Sequence, residues 1–236
     1  MCTTGGRYRW ICESIQQFLS QDYRYKKLLI FNNGNGSLHL DPVLKKRGIS
    51  LVNAGSEFST YGEVSNAALK LVDTKYMSIW DDDDIYLPNH LSQGVRALEE
   101  TGKLVHRASR ALMATVDDEN NLLVDEVRNV LEGTWIINTE FAKRVGFNED
   151  INVGVAIKIV DESNKQNQTV EGEDISYIYR FGNITPTAIH LSVFDDPDAR
   201  VFWLENHNDY GLGKPLIPHH SNILRDVLIT WLNKKG

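Results

Sequence analysis

Tyr76-Met77-Ser78-Ile79-Trp80-Asp81-Asp82-Asp83-Asp84-Ile85-Tyr86-Leu87-Pro88 is the stretch from which the rest of the chain is read. Residues 76–80 read as an apolar strand, and it runs straight into four adjacent carboxylates. Such a run repels itself and suits neither a helix nor a strand. One reading is a solvated loop. The other is a ligand site, because the carboxyl ends of parallel strands are where open α/β sheets form their crevices. A hard cation, Mg2+ or Mn2+, relieves the repulsion, since both favour carboxylate oxygen. Mg2+ keeps about one or two protein carboxylates and takes its other ligands from water and substrate phosphates, so a diphosphate-bearing substrate suits the place. A calcium loop does not, because its alternating ligands and its glycine are missing.

Upstream of this stretch, strand and helix signals alternate. Residues 7–20 carry Trp10, Ile11, Ile15, Phe18 and Leu19 at helical spacing. Residues 28–31, between Lys26-Lys27 and Asn32-Asn33-Gly34, are a short apolar run that predicts a strand buried on both faces. Asp41-Pro42 predicts a helix start, an N-cap acid followed by proline in the first turn. Residues 49–52 predict a strand, 64–72 a helix, and Pro88 opens another helix that runs to Glu100. Repeated units of this length imply a parallel sheet covered by helices.

Downstream the pattern loosens. Residues 104–116 and 122–127 predict an antiparallel hairpin about a polar turn at 117–121. A strand is expected at 134–137, a short helix capped by Thr139 through Val145, a polar loop at 163–168 and a strand at 175–181. Residues 221–232 place Ile223, Leu224, Val227, Leu228 and Trp231 on one helical stripe.

Composition narrows the function classes. The 236 residues are 42% hydrophobic and 24% charged, ordinary for a globular protein. A net charge of −7 argues against a broad basic surface for non-specific nucleic-acid binding, though not against a base held in a pocket. Cys2 and Cys12 have neither metal nor disulfide spacing and read as reduced thiols. There is no signal-peptide pattern, and no apolar run approaches the ~20 residues of a membrane span. A soluble, cytoplasmic protein is expected.

Taken together, these segments resemble the family 2 glycosyltransferases, which have the A-type nucleotide-diphospho-sugar transferase fold. The 76–88 stretch is similar to the family's apolar strand, Asp-x-Asp-Asp motif and following proline. Thr3-Thr4-Gly5-Gly6-Arg7, with a helix ending Phe18-Leu19-Ser20-Gln21-Asp22-Tyr23, resembles its first strand, loop and helix. Ser65-Asn66-Ala67-Ala68 resembles the asparagine-bearing helix ahead of the metal strand. Gly133-Thr134-Trp135 and Val145-Gly146-Phe147 resemble its acceptor-side segments. Order and spacing agree from about residue 2 to residue 190.

The fold class expected is therefore α/β: a Rossmann-like, mostly parallel sheet flanked by helices, with an antiparallel acceptor-side portion and a C-terminal helix. Residues 1–195 would be the nucleotide-sugar transferase domain, and 196–236 an extension packing on it, one domain overall. The resemblance implies a divalent metal, Mn2+ or Mg2+, a nucleotide-diphospho-sugar donor such as a UDP-sugar, and a hydroxyl acceptor. It implies Asp81 near the ribose, Asp82 beside it, and Asp83 as the direct metal ligand. Thr3 and Thr4 would lie against base and ribose, with Arg7 and Asn66 in the same donor site. His190, in Ile189-His190-Leu191-Ser192, would reach the metal or the diphosphate; its other reading is a histidine satisfied within a strand.

Several features depart from the family pattern. The first strand is very short, beginning at Met1. Asn32-Asn33 stands where the family has an acidic pair; Asn33 still offers a donor and an acceptor for a base. An inverting transfer needs a carboxylate to take the acceptor's proton. Glu173-Asp174 resembles the family's Glu-Asp pair, making Asp174 the catalytic candidate, with an exposed acid pair as its other reading. In a rival alignment Asn152-Val153-Gly154-Val155-Ala156 is the segment that ends in the base, and Ala156 fills its place. A nucleotidyltransferase of similar fold and a non-catalytic nucleotide-sugar-binding relic are the competing functions. The acceptor, a glycan, a small molecule or a modified DNA base, is left open. Trp135, Tyr177, Tyr179, Trp203 and Tyr210 are aromatic candidates for stacking on it, with core packing as their other reading.

Overall fold

A computed structural model describes residues 1–4, 7–116, 122–128 and 131–180. His190, the 196–236 extension, the expected C-terminal helix, Trp203 and Tyr210 lie outside the described residues.

The first half follows the alternation of its sequence. Strand β1 (Cys2–Thr3) leads to helix α1 (Tyr8–Leu19), then β2 (Leu28–Asn32), α2 (Pro42–Lys46), β3 (Ile49–Asn53) and α3 (Tyr61–Lys70). β1, β2 and β3 form a parallel sheet in that order, with Cys2 opposite Phe31 and Leu28 opposite Ile49. Asp41 caps α2 by accepting from the Val43 amide at 2.8 Å. α3 begins three residues earlier than its apolar pattern suggests, because Thr60 and Glu63 form a reciprocal capping box.

Next come β4 (Tyr76–Ser78), β5 (Ile85–Tyr86), α4 (His90–Thr101), β6 (Val105–Ala108), β7 (Arg110–Val116) and β8 (Leu122–Arg128). The described chain ends with β9 (Ile136–Asn138), α5 (Thr139–Val145), α6 (Ile157–Lys165), β10 (Thr169–Gly172) and β11 (Tyr177–Arg180). One four-stranded sheet runs β10-β6-β9-β4 and another β5-β11-β7-β8. Parallel pairing thus dominates the amino-terminal half, and antiparallel pairs, including the expected β7–β8 hairpin, enter in the second.

Some local expectations change. Residues 104–116 are not one strand: the chain breaks at Ser109, whose amide donates to Gly172 O at 2.7 Å, and β6 and β7 join different sheets. Asn138, not Thr139, caps α5, accepting from the Phe141 amide at 3.0 Å. The polar 163–168 segment is partly helical, because α6 runs to Lys165 with Ile159 and Val160 buried against Phe141 and Trp135. Trp135, Tyr177 and Tyr179 are core residues, each under 10% exposed (2%, 2% and 6%). Among the described residues no helix is long and apolar enough to cross a membrane.

Candidate active site

The acidic run forms the turn between β4 and β5, and two aromatic rings fix its ends. Trp80 stacks on Tyr86 at 3.9 Å between centroids and donates from Nε1 to Ser14 Oγ of α1 at 2.6 Å. Tyr86 Oη then closes the turn, accepting from the Asp81 amide at 2.7 Å and donating to Ile79 O at 3.3 Å. Four carboxylates are therefore presented by a rigid turn rather than by a solvated loop, and three of them, Asp82, Asp83 and Asp84, are buried.

Each of the three has its own partners. Asp82 accepts from Thr3 Oγ1 at the end of β1 and from Arg7 Nε at 3.0 Å, while Arg7 Nη2 lies 2.7 Å from Asp82 Oδ1. The same Nη2 lies 2.7 Å from Asp83 Oδ2. Asp84 accepts from the Tyr177 hydroxyl and from the Arg180 amide at 2.8 Å, so it ties the run to β11. Arg180 in turn pairs with Glu13 at 3.1 Å and lies over the Trp10 ring, anchoring β11 to α1. Asp81 accepts from the Tyr61 hydroxyl at 3.3 Å.

Burial sets the electrostatics. It lifts Asp82 above the ordinary carboxylate range, although Arg7 pulls the other way. Burial, with Asp83 and Asp81 adding repulsion, lifts Asp84 further. Burial works against charge on Arg7, but Asp83 and Asp82 outweigh it and hold the guanidinium ionised. Behind the turn, His90 is sealed between Ser78 Oγ and Ser176 Oγ, each 3.1 Å away, and burial with His106 nearby drops it to about 3.

Among the residues proposed from the sequence, Thr3, Arg7, Asp81, Asp82 and Asp83 come together. The buried Thr4 Oγ1 has no hydrogen-bond partner among the described residues. Asn33 and Asn66 are engaged elsewhere. Asn33 bridges the loops after β2 and β3, donating to Phe58 O at 2.8 Å and accepting from the Phe58 amide at 3.2 Å. Asn66 clamps the segment after α5, donating to Phe147 O at 3.0 Å and accepting from the Phe147 amide at 2.9 Å. Asp174 is exposed in the β10–β11 connection, three residues before β11 and so at the end of that strand remote from Arg180 and Asp84. Ala156 is buried and is the N-cap residue of α6.

Sequence reasoning passed over Glu132, in the turn before β9, whose Oε1 accepts from the Ala156 amide at 2.8 Å. Its only signal was a carboxylate immediately ahead of Gly133-Thr134-Trp135.

Among the described residues no group of three or more His, Cys, Asp or Glu side chains is gathered for a metal ion. The donor chemistry nevertheless fits a hard cation held by one or two carboxylates and completed by phosphate oxygens. Each carboxylate of the run already has a protein partner, Asp83 with Arg7 and Asp81 with Tyr61 among them, so a cation would join Arg7 rather than enter an unpartnered cluster.

Comparison with known proteins agrees with this architecture. The profile of "Glycosyl transferase family 2" matches residues 3–156. Among solved structures, S. aureus TarS 1–349 in complex with UDP-GlcNAc superposes with a TM-score of 0.59 at 12% identity, over 89% of this chain and 72% of that one. A further TarS 1–349 structure gives 0.57 at 15% identity, over 76% of this chain but only 59% of its own length. The mannosyltransferase PcManGT from Pyrobaculum calidifontis, in complex with GDP-Man and Mn2+, gives 0.56 at 15% identity, over 98% of this chain and 68% of that one. At these identities the structures speak for the fold, and the match to the family over residues 3–156 establishes that the chain belongs to glycosyl transferase family 2.

Proposed function

We propose that the chain is a metal-dependent, inverting glycosyltransferase that moves a sugar from a nucleotide-diphosphate donor to a hydroxyl acceptor. The observation that carries this reading is the meeting of Thr3 and Arg7, from the end of β1 and its following loop, with the carboxylates of Asp82 and Asp83 that follow β4. That cluster lies at strand carboxyl ends, where ligands bind in open α/β sheets. The neighbours solved with UDP-GlcNAc and with GDP-Man support a nucleotide-sugar donor. The second of these, complexed with Mn2+, supports a metal.

Mn2+ or Mg2+ would be held by Asp83, with Asp81 alongside and His190 as a further ligand. When bound, such a cation supplies Lewis-acid stabilisation of the leaving diphosphate. Arg7 already places positive charge beside Asp83, at 2.7 Å. A diphosphate's negative charge offsets the added cation, so cation and nucleotide bind together. Thr3, Thr4 and Asp81 would receive the base and ribose, and Asn33 and Asn66 shape the loops around them. The acceptor is a glycan, a small molecule or a modified DNA base, and the protein acts in the cytoplasm.

Incubation with UDP-GlcNAc or GDP-mannose and Mn2+ tests the reading, with free UDP or GDP as readout. Slow donor hydrolysis is expected. Release of pyrophosphate instead would indicate nucleotidyl transfer, and binding without turnover a relic.

A further inference from the structure

Glu132 opens the 132–134 turn that leads into β9. β9 lies antiparallel to β4 with Ile136 opposite Ser78, so residues before β9 flank those after β4, where the acidic run begins. Gly133, its neighbour, packs under Tyr177: a Cβ there would lie 2.5 Å from the ring, and that tyrosine donates to Asp84. Glu132 is thus held beside the acidic turn from two directions.

Its carboxylate also stands at the amino end of α6. Oε1 accepts from the Ala156 amide at 2.8 Å, and the Ile157 amide acts on the same carboxylate. These N–H groups, with the helix dipole behind them, favour a negative charge at that point. This is the position at which the rival alignment expects an acid and the chain has Ala156. Glu132 as a residue is partly exposed.

We propose that Glu132 is the general base of the transfer, filling in space the role of the acid that the chain lacks at Ala156. The inference rests on the glycosyltransferase reading. The acceptor's hydroxyl oxygen bonds to the anomeric carbon, and the bond from that carbon to the diphosphate oxygen breaks. Its electron pair leaves on the nucleotide diphosphate, and the hydroxyl proton passes to Glu132. Burial raises this carboxyl to about 8, against the pull of the Ala156 and Ile157 amides and with Asp81 adding repulsion. Tyr61 of α3 is a further ionisable side chain whose surroundings include it. A group that titrates near neutrality is suited to accepting a proton and passing it on.

Glu132→Gln keeps an oxygen for the Ala156 amide and cannot take the proton. With UDP-GlcNAc or GDP-mannose as donor, Mn2+ present and water as acceptor, the variant should lose about 10²–10⁴-fold in kcat. Its calorimetric affinity for UDP or GDP with Mn2+ should match that of the wild type. The wild-type pH profile should rise through a limb near pH 8 that the variant lacks. Wild-type turnover in Glu132→Gln, with that limb intact, overturns the role of Glu132 and leaves the transferase reading standing. So does loss of activity in Asp174→Asn with Glu132→Gln unaffected, which returns the role to Asp174. Nucleotide binding without hydrolysis by the wild type overturns the base but not the donor site. Neither binding nor hydrolysis overturns the donor site itself.

Discussion

Arg7 grips Asp82 through both Nε, at 3.0 Å, and Nη2, at 2.7 Å, and with that same Nη2 reaches Asp83. All three side chains are buried. The repulsion built into the acidic turn is therefore answered by the protein's own cation, held where the first strand meets the fourth.

Removing that cation should destabilise the fold. Arg7→Ala leaves two buried carboxylates without their counter-charge, and breaking one half of a buried pair costs about 3–5 kcal/mol. Thermal melts should show a large drop at neutral pH. The gap to the wild type should narrow as pH falls, because Asp82, already lifted by burial, takes up a proton and loses its uncompensated charge.

Asp83→Ala should leave the fold intact and weaken nucleotide binding. Arg7 loses Asp83 but retains Asp82, so no buried charge is left without a counter-charge. Calorimetry with UDP or GDP in the presence of Mn2+ should show a loss larger than the ~10–100-fold typical of removing an outer-shell partner. Affinity without metal should change little. Unchanged Mn2+-dependent affinity would remove Asp83 from the metal.

His90 makes the fold acid-sensitive. Burial holds it at about 3 in the folded chain, against the ordinary histidine value of 6.5 when unfolded. Its folded value is depressed, so the unfolded chain binds the extra proton between those two pH values. The stability it contributes is present above the unfolded value and falls as pH drops toward 3, by at most about 1.4 kcal/mol per pH unit. His106, which burial lowers to about 4, acts in the same direction. Melting temperatures from pH 7 down should fall more gently in His90→Gln than in the wild type. Parallel curves would show that His90 takes up its proton as readily in the folded chain as in the unfolded one.

The amino-terminal half was legible because its signals are local. Apolar runs, the Asp41-Pro42 cap and the abrupt change from Trp80 to Asp81 each report on a few neighbouring residues, and β2, β3, α2 and the acidic turn appear where those signals stand. The α6 helix was not legible. Its residues 157–165 are mostly polar, and Ile159 and Val160 make it a helix by burying themselves against α5 and β9 partners distant in sequence. The strand expected over 104–116 was cut at Ser109 for a similar reason: the Gly172 carbonyl that takes its amide belongs to a strand that pairs only after the chain has folded back.

The same division runs through the site. The sequence by itself determined that carboxylates would be concentrated at the end of an apolar strand, with Thr3, Thr4 and Arg7 near the start of the chain to meet them. Only the tertiary structure decided that Arg7 would neutralise Asp82 and Asp83, that Asn33 and Asn66 would spend their amides on Phe58 and Phe147, and that Asp174 would stand exposed ahead of β11. It alone gave Glu132 its surroundings, since the amides that hold that carboxylate come from residues 156 and 157. Charge and periodicity are properties of neighbouring residues and can be read along a chain. Burial, and the partner that each buried charge requires, depend on groups brought together from distant positions, and those exist only once the sheets have closed around the acidic turn.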